Sequence, residues 1–242
     1  MFSRFKITKE DYDTLELPDR VHLNLNQNAR RIALRLDSKS KSIRLTVPKG
    51  TAPSKVQSFV NKNILWINNT LNSLPSDIIL KENSTFPYMG KHITLKVITD
   101  KSAKTRKITL EETDLTIRTS SDIYSERLKR WIINDFKEKV KSISEEKSLN
   151  IKKEIKSVRV SDTKTRWGSC SHDGRLCFSW RLAFAPYEAI DYVVAHEVAH
   201  LRHLDHSKEF WTLCEELSID YAAGKRWMKE NGSELMRYVF AQ

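Results

Sequence analysis

The chain has 242 residues, three cysteines and a formal net charge of +11. A chain of this length can bury a hydrophobic core of its own, and three cysteines without close spacing exclude a disulfide scaffold. The N-terminus has no apolar run typical of a signal peptide, and no apolar stretch reaches the roughly 20 residues of a membrane span. We therefore expect a soluble protein in a reducing, cytoplasmic setting.

The positive charge is concentrated in the first half of the chain. Residues 1–120 contain 21 Lys and Arg against 12 Asp and Glu, whereas residues 121–242 contain 21 against 19. Such a field attracts an acidic partner, such as nucleic acid, a nucleoprotein or nucleotide phosphates. A solvated surface shows the same excess, and no aromatic and basic nucleic-acid signature accompanies it.

The first 120 residues contain mainly strand signals. Apolar and polar residues alternate in two runs between residues 21 and 47, which predicts two half-buried strands. Apolar residues then recur at near-helical spacing from Val56 to Ile67, and alternating runs return between residues 79 and 119. We interpret residues 1–120 as a small, basic, β-rich module with one helix.

The texture of the sequence changes near Asp122. The segment that follows is charged, contains little Gly or Pro and carries a helical stripe of apolar residues, namely Leu128, Trp131, Ile132, Phe136 and Val140. This pattern predicts an amphipathic helix. We place a domain boundary at residues 118–124 and expect residues 121–242 to form a second domain, so that the chain as a whole belongs to the α+β class.

A hairpin is predicted ahead of the histidine-rich segment, because the Asp-Gly pair at residues 173–174 is the strongest short turn signal in the chain. A two-residue type I′ turn there would pair Cys170 with Cys177 and Trp167 with Trp180. The cysteines, with a histidine nearby, could be a redox pair or half of a second metal site. Two small side chains on a sheet face explain them better, since the close Cys pairs of a structural zinc site are missing. The tryptophans are expected to be packing residues.

The stretch DYVVAHEVAHLRHLDHSKEFW, residues 191–211, holds four of the seven histidines. Apolar residues at helical spacing place His196, Glu197 and His200 on one helix, so the two histidines lie one turn apart on the same face. Two imidazoles in this position can bind one zinc ion at about 2.1 Å, and Glu197 is placed to take a proton from water. The apolar helix would otherwise have to bury three ionisable groups without a function.

Two kinds of side chain compete to be the third ligand. His206 can swing back onto the metal if the helix ends near residues 204–205, and Ser207 supports that ending as the cap of a new helix. A carboxylate from Glu215 or Glu216, on that later helix, is the competing assignment.

Two segments, TRWGSCSHDGRLCFSWRL and AIDYVVAHEVAHLRHLDHSKEFW, resemble in order and spacing the YgjP-like group of metallopeptidases, which is related through its catalytic helix to the SprT-like peptidases. The resemblance is specific over residues 165–211 and looser in the β-rich module. It implies a zincin-like catalytic domain with His196, His200 and His206 as zinc ligands and Glu197 as the catalytic acid/base. Some members of the family are described as nucleotide pyrophosphatases.

Zinc-dependent hydrolysis of peptide bonds in a polypeptide substrate is the function that these observations favour. Arg166, Tyr192 and His203 are possible contacts to the substrate or the oxyanion, and His203 lies about 10.5 Å along the helix from His196, too far to share the metal. Two alternatives stay open, namely a metal-dependent nucleotide (NTP) pyrophosphatase and a nucleic-acid adaptor with a structural zinc. The sequence has no Walker-type loop, and a structural zinc site normally has four protein ligands.

Overall fold

The computed structural model describes residues 10–37, 40–99, 107–120, 124–163 and 165–241. Contacts between Cα atoms divide the chain into two compact units, Met1–Ser76 and Asp77–Gln242. Helices and strands are mixed in both units, as the α+β expectation requires. Among the helices described, none is both long and apolar enough to cross a membrane.

The first unit is a three-stranded sheet that shares a hydrophobic core with two short helices. Strand β3 lies in the middle, paired in parallel with β1 and antiparallel with β2. The elements are β1 (Val21–Asn26), β2 (Ala33–Asp37), β3 (Ser42–Pro48), α1 (Pro53–Lys62) and α2 (Ile64–Asn72), with a 3-10 helix at Glu10–Tyr12. The single helix expected here is two helices that meet at Asn63, whose side-chain Nδ2 donates to the carbonyl oxygen of Phe59.

The second unit contains three sheets and four α-helices within its described residues. Its sheets have the strand orders β5-β6-β8-β7, β10-β11-β9 and β12-β4. The strands are β4 (Ile78–Leu80), β5 (Thr85–Tyr88), β6 (Lys91–Thr99), β7 (Ile108–Glu111), β8 (Asp114–Thr119), β9 (Ser157–Ser161), β10 (Gly168–Cys170), β11 (Arg175–Ser179) and β12 (Tyr238–Phe240). The helices are α3 (Ser125–Asn150), α4 (Tyr187–Ala199), α5 (Lys208–Leu217) and α6 (Tyr221–Asn231), with 3-10 helices at Trp180–Phe184 and Gly232–Arg237.

The boundary between the two compact units follows Ser76. It lies earlier in the chain than residues 118–124, where the composition of the sequence changes. Strands β5, β6 and β8 share one hydrophobic core with α3 and α4. Phe86 of β5, for example, packs edge-on against Phe184, with ring centroids 5.9 Å apart. The apolar faces of these strands are therefore buried against the C-terminal helices, although their sequence resembles that of the β-rich first unit.

Helix α3 has the apolar stripe that the sequence predicts, and a buried ion pair joins it to α4. The Nζ atom of Lys147 lies 2.6 Å from a carboxylate oxygen of Asp191 and donates to the carbonyl oxygen of Leu217 at 2.6 Å. The other oxygen of Asp191 accepts from the backbone N–H of Ile219 at 2.8 Å. One buried network thus links α3, α4 and the end of α5.

The hairpin formed by β10 and β11 is one residue out of the expected register. Its loop, residues 172–174, is three residues long rather than two, and Gly174 has a φ of +80°. A glycine in the left-handed region is typical of a three-residue hairpin loop, which an Asp-Gly pair serves as well as it serves a type I′ turn. Cys170 therefore lies opposite Leu176. Because side chains alternate along a strand, Cys170 and Cys177 point to opposite faces, and both are free thiols.

The same slip separates the two tryptophans that were expected to pair. Trp167 lies opposite Ser179, whose backbone N–H donates to its carbonyl oxygen at 2.8 Å. Trp180 lies in the 3-10 helix that follows, buried against Phe184 and Phe240 with ring centroids 5.6 and 5.1 Å away. Trp180 is a packing residue, but it does not pack with Trp167 across the hairpin.

Candidate metal centre

His196 and His200 lie one turn apart at the C-terminal end of α4, as the sequence predicts. The helix itself ends at Ala199, and His200 is its C-cap. This ending is earlier than residues 204–205, and the backbone N–H of His203 makes the last helix-type bond, to the carbonyl oxygen of Ala199 at 3.0 Å. The five residues after His200 are therefore free to turn the chain back toward the helix.

After this turn the chain enters α5, which begins with a capping residue. Ser207 is the N-cap residue, and its Oγ accepts from the backbone N–H of Phe210 at 3.3 Å. The predicted cap at Ser207 is thus confirmed. His206 immediately precedes it, so the capping bond holds the third histidine where the chain returns to the end of α4.

His196, His200 and His206 form the group of side chains that could hold a metal ion within the described part of the chain. One ring nitrogen from each lies within 4.8 Å of the other two. The Nε2 atoms of His196 and His206 are 3.2 Å apart, close to the roughly 3.3 Å between two nitrogens bound tetrahedrally to zinc at about 2.0–2.1 Å. Glu215 and Glu216, the competing third ligands, are exposed and lie outside this group.

The protonation states of the histidines also fit a metal. The Nδ1 atom of His200 donates to the carbonyl oxygen of His203 at 2.9 Å, which leaves Nε2 with a free lone pair. Burial, together with the neighbouring histidines, lowers the pKa of His196 to about 4. Burial likewise lowers the pKa of His200. Both rings are therefore neutral near pH 7, which is the form that binds metals.

Phe210 supports all three imidazoles. It is fully buried, and its ring centroid lies 4.9 Å from that of His196, 4.5 Å from that of His200 and 4.7 Å from that of His206. The neighbouring Trp211 packs against His196 and His206, with centroids 5.6 and 5.5 Å away. These aromatic contacts restrict the rings to a small range of orientations, which a metal site requires of its ligands.

Glu197 is buried beside the histidines and next to β10. It is 6% exposed, and its carboxylate accepts a hydrogen bond from the backbone N–H of Cys170. Burial raises the pKa of Glu197 to about 8, while the charge of Arg166 and the bond from Cys170 oppose the rise. A carboxyl group with a pKa near neutrality can both accept and return a proton.

Gly168 allows β10 to approach Glu197 this closely. A Cβ atom at Gly168 would lie 2.5 Å from both Cγ and Oε1 of Glu197, which is far inside van der Waals contact. Gly168 is not among the site residues predicted from the sequence, although a glycine inside a predicted strand is a known sign that another group approaches the backbone.

A pocket of about 480 Å³ lies beside His196 and Glu197, and we call it the Glu197 pocket. Arg166 and Tyr192, two of the predicted substrate contacts, line it. The third, His203, lines a separate surface depression and contributes only its carbonyl oxygen, to His200.

Lys225 and Lys229 of α6 also line the Glu197 pocket. Neither residue had a signal in the sequence, because lysines are common on the exposed face of an amphipathic helix. Phe210 likewise has an apolar helix position that any core residue could have. These residues are recognised only when the fold brings α5 and α6 to the end of α4.

The sequence profile of a family described as YgjP-like, metallopeptidase domain, matches residues 30–231. The matched range includes every residue of the histidine group, Glu197 and most of both compact units. No curated protein and no solved structure matches the chain.

Proposed function

Because this chain belongs to the YgjP-like metallopeptidase family, we propose that it is a zinc-dependent peptidase with His196, His200 and His206 as ligands and Glu197 as general acid/base. The observation that carries the proposal is the convergence of three imidazoles beside a buried carboxyl group. Three histidines with a fourth position open to water are typical of catalytic rather than structural zinc. The wider zincin-like architecture is part of the same proposal.

Each side chain has a separate task in this mechanism. A bound zinc ion would supply a Lewis acid that polarises the scissile carbonyl, acidifies water and favours the ionised form of Glu197. The Glu197 carboxylate takes a proton from the attacking water and returns it to the nitrogen of the leaving amine. The N–H of Cys170 holds that carboxylate in place, and Arg166 and Tyr192 line the pocket in which the substrate lies.

The proposal is tested with the full chain, loaded with zinc, and its Glu197→Gln variant. Both are incubated with an unfolded mixed proteome, and new peptide N-termini are counted by mass spectrometry. Glu197→Gln should bind zinc as the wild type does but cut at least about 100-fold more slowly, since general acid/base catalysis contributes that much or more. Equal cutting by both proteins would refute the role of Glu197, and no cutting by the zinc-loaded wild type would refute the peptidase.

A further inference from the structure

The Glu197 pocket combines an apolar wall with a group of cations. Trp167 and Met228 contribute to the apolar part of its lining. Arg166, Lys225 and Lys229 bring three positive charges to the same pocket. A ligand that fits this lining has an apolar stem and an anionic end.

The three cations form no salt bridge within the described residues, although the charge of Arg166 acts on the Glu197 carboxyl group nearby. Each salt bridge found there joins other side chains, and Arg166, Lys225 and Lys229 are in none of them. The carboxyl group of the pocket, Glu197, is already bonded to the N–H of Cys170. A set of like charges around one pocket is repulsive until an anion enters it.

Lys225 is held in place by aromatic side chains. Its Nζ atom lies 4.7 Å from the ring centroid of Trp211 and 4.8 Å from that of Tyr221, and it donates to the hydroxyl of Tyr221 at 2.7 Å. Trp211 is also the ring that packs on His196 and His206. The Lys225 ammonium group therefore has a defined position relative to the histidine group.

A close helix contact brings both lysines to the pocket. Gly224 of α6 packs on α4 so tightly that a Cβ atom there would lie 2.4 Å from the carbonyl oxygen of Glu188 and 2.5 Å from Cβ of Tyr192. Lys229 follows Lys225 by four residues, so the two side chains lie one turn apart on the same face of α6. The fold thus places two lysines of one helix face along one side of the pocket.

We propose that the Glu197 pocket is a substrate subsite for a carboxylate of the polypeptide, and that Lys225 and Lys229 determine this specificity. The inference rests on the peptidase proposal, because it assigns the pocket to the chain being cut. The apolar wall takes the aliphatic stem, and the two ammonium groups take the charge. The carboxylate comes either from an Asp or Glu side chain near the scissile bond or from the C-terminus of the substrate.

Binding of labelled peptides to the zinc-loaded Glu197→Gln protein, measured by fluorescence anisotropy, tests the inference without cleavage. One peptide series scans a Glu through a neutral sequence with an amidated C-terminus, and a second series has Gln in its place. A third peptide has Gln and a free C-terminal carboxylate. The best Glu peptide or the free-carboxylate peptide should bind about ten-fold more tightly than its neutral match, and added salt should reduce the difference. Which of the two binds better identifies the source of the carboxylate.

The lysines are tested by Lys225→Met and Lys229→Met, separately and together, in the same protein. Each change keeps most of the side-chain length and removes the charge. Each single variant should reduce the preference for the carboxylate several-fold, and the double variant should abolish it. Arg226→Met is the matched control, because Arg226 lies between them on α6, is exposed and does not line the pocket.

The outcomes separate this inference from the peptidase proposal. Equal binding of charged and neutral peptides, or a preference that survives the double variant, overturns the inference even if the wild type cuts peptides. A lysine-dependent preference without any cutting by the wild type supports the subsite and overturns the peptidase. Tighter, lysine-dependent binding of a nucleoside triphosphate than of any peptide would overturn the assignment to a polypeptide carboxylate.

Discussion

Helix α4 buries an aspartate near its start and a glutamate near its end. Asp191 is 1% exposed and has two partners, an ion pair with Nζ of Lys147 at 2.6 Å and a hydrogen bond from the N–H of Ile219 at 2.8 Å. Glu197 is 6% exposed, yet it accepts the N–H of Cys170 and forms no salt bridge with a cation in the described part of the chain. The same helix thus compensates one buried acid and leaves the other largely uncompensated.

The difference separates what holds the fold from what performs the chemistry. A buried carboxylate with a cation and an N–H partner stays ionised and links the elements that supply those partners. A buried carboxyl that forms no salt bridge has a raised pKa, which costs stability but keeps the proton exchangeable near neutral pH. The second half of α4 is therefore the half that a bound cation would stabilise.

The largest effect is expected from removing the cation that pairs with Asp191. Lys147→Met leaves the Asp191 carboxylate buried without its cation and should lower the free energy of unfolding by about 3–5 kcal/mol. Denaturant unfolding followed by tryptophan fluorescence measures this, because five of the six tryptophans lie in the second unit.

The matched control is Lys141→Met on the same helix. Lys141 forms an exposed pair with Glu145 at 3.8 Å, and its loss should cost less than about 0.5 kcal/mol. If Lys147→Met lowers the free energy of unfolding no more than the control does, the buried ion pair does not hold α3 to α4. The contrast drawn between Asp191 and Glu197 would then be wrong for Asp191.

The end of α4 that carries Glu197 and the histidines should be stabilised by zinc. A ligand that binds the folded state raises its stability, so zinc should raise the melting temperature of the wild type. His206→Asn should weaken zinc binding by on the order of 100-fold to 1000-fold, which is roughly what one ligand contributes to the affinity of a typical zinc site. It should therefore remove most of the zinc-dependent stabilisation.

His203→Asn provides the control for this change, because His203 lies in the same turn but outside the histidine group. It should keep the zinc-dependent stabilisation, since only its backbone carbonyl contacts a ligand. Stabilisation by zinc that survives His206→Asn but is lost in Glu215→Gln or Glu216→Gln would transfer the third ligand to a carboxylate.

Much of the site could be predicted from residues that are close in the sequence. His196 and His200 are four residues apart, about one helical turn, and serine is strongly preferred as an N-cap, so both features follow from local sequence. The length of the hairpin loop could not, because an Asp-Gly pair is compatible with a two-residue and a three-residue loop. The difference of one residue moved Cys170 away from Cys177.

Long-range packing accounts for the rest. Alternating apolar residues in β5 to β8 predict strands, but they do not reveal that these strands share a core with α3 and α4. For this reason the change of composition near Asp122 does not coincide with the boundary between the compact units. The positions of Lys225 and Lys229 likewise depend on how α6 packs on α4. Recruitment of an acidic partner by the basic first half, including nucleic acid, stays a prediction.

The smallest and most selective change concerns the contact between β10 and Glu197. Gly168→Ala places a Cβ atom within 2.5 Å of the Glu197 side chain, so the carboxyl group must move. Since a displacement of about 1 Å can cost on the order of 100-fold in rate, peptide cleavage should fall by about that factor. Zinc binding should be unchanged, because no histidine of the group contacts Gly168 so closely. Ser169→Ala, on the same strand, should keep nearly full activity. If Gly168→Ala loses zinc or unfolds in step with its activity, the glycine serves the fold, whereas a loss of rate with zinc retained shows that β10 positions the carboxyl group that α4 leaves uncompensated.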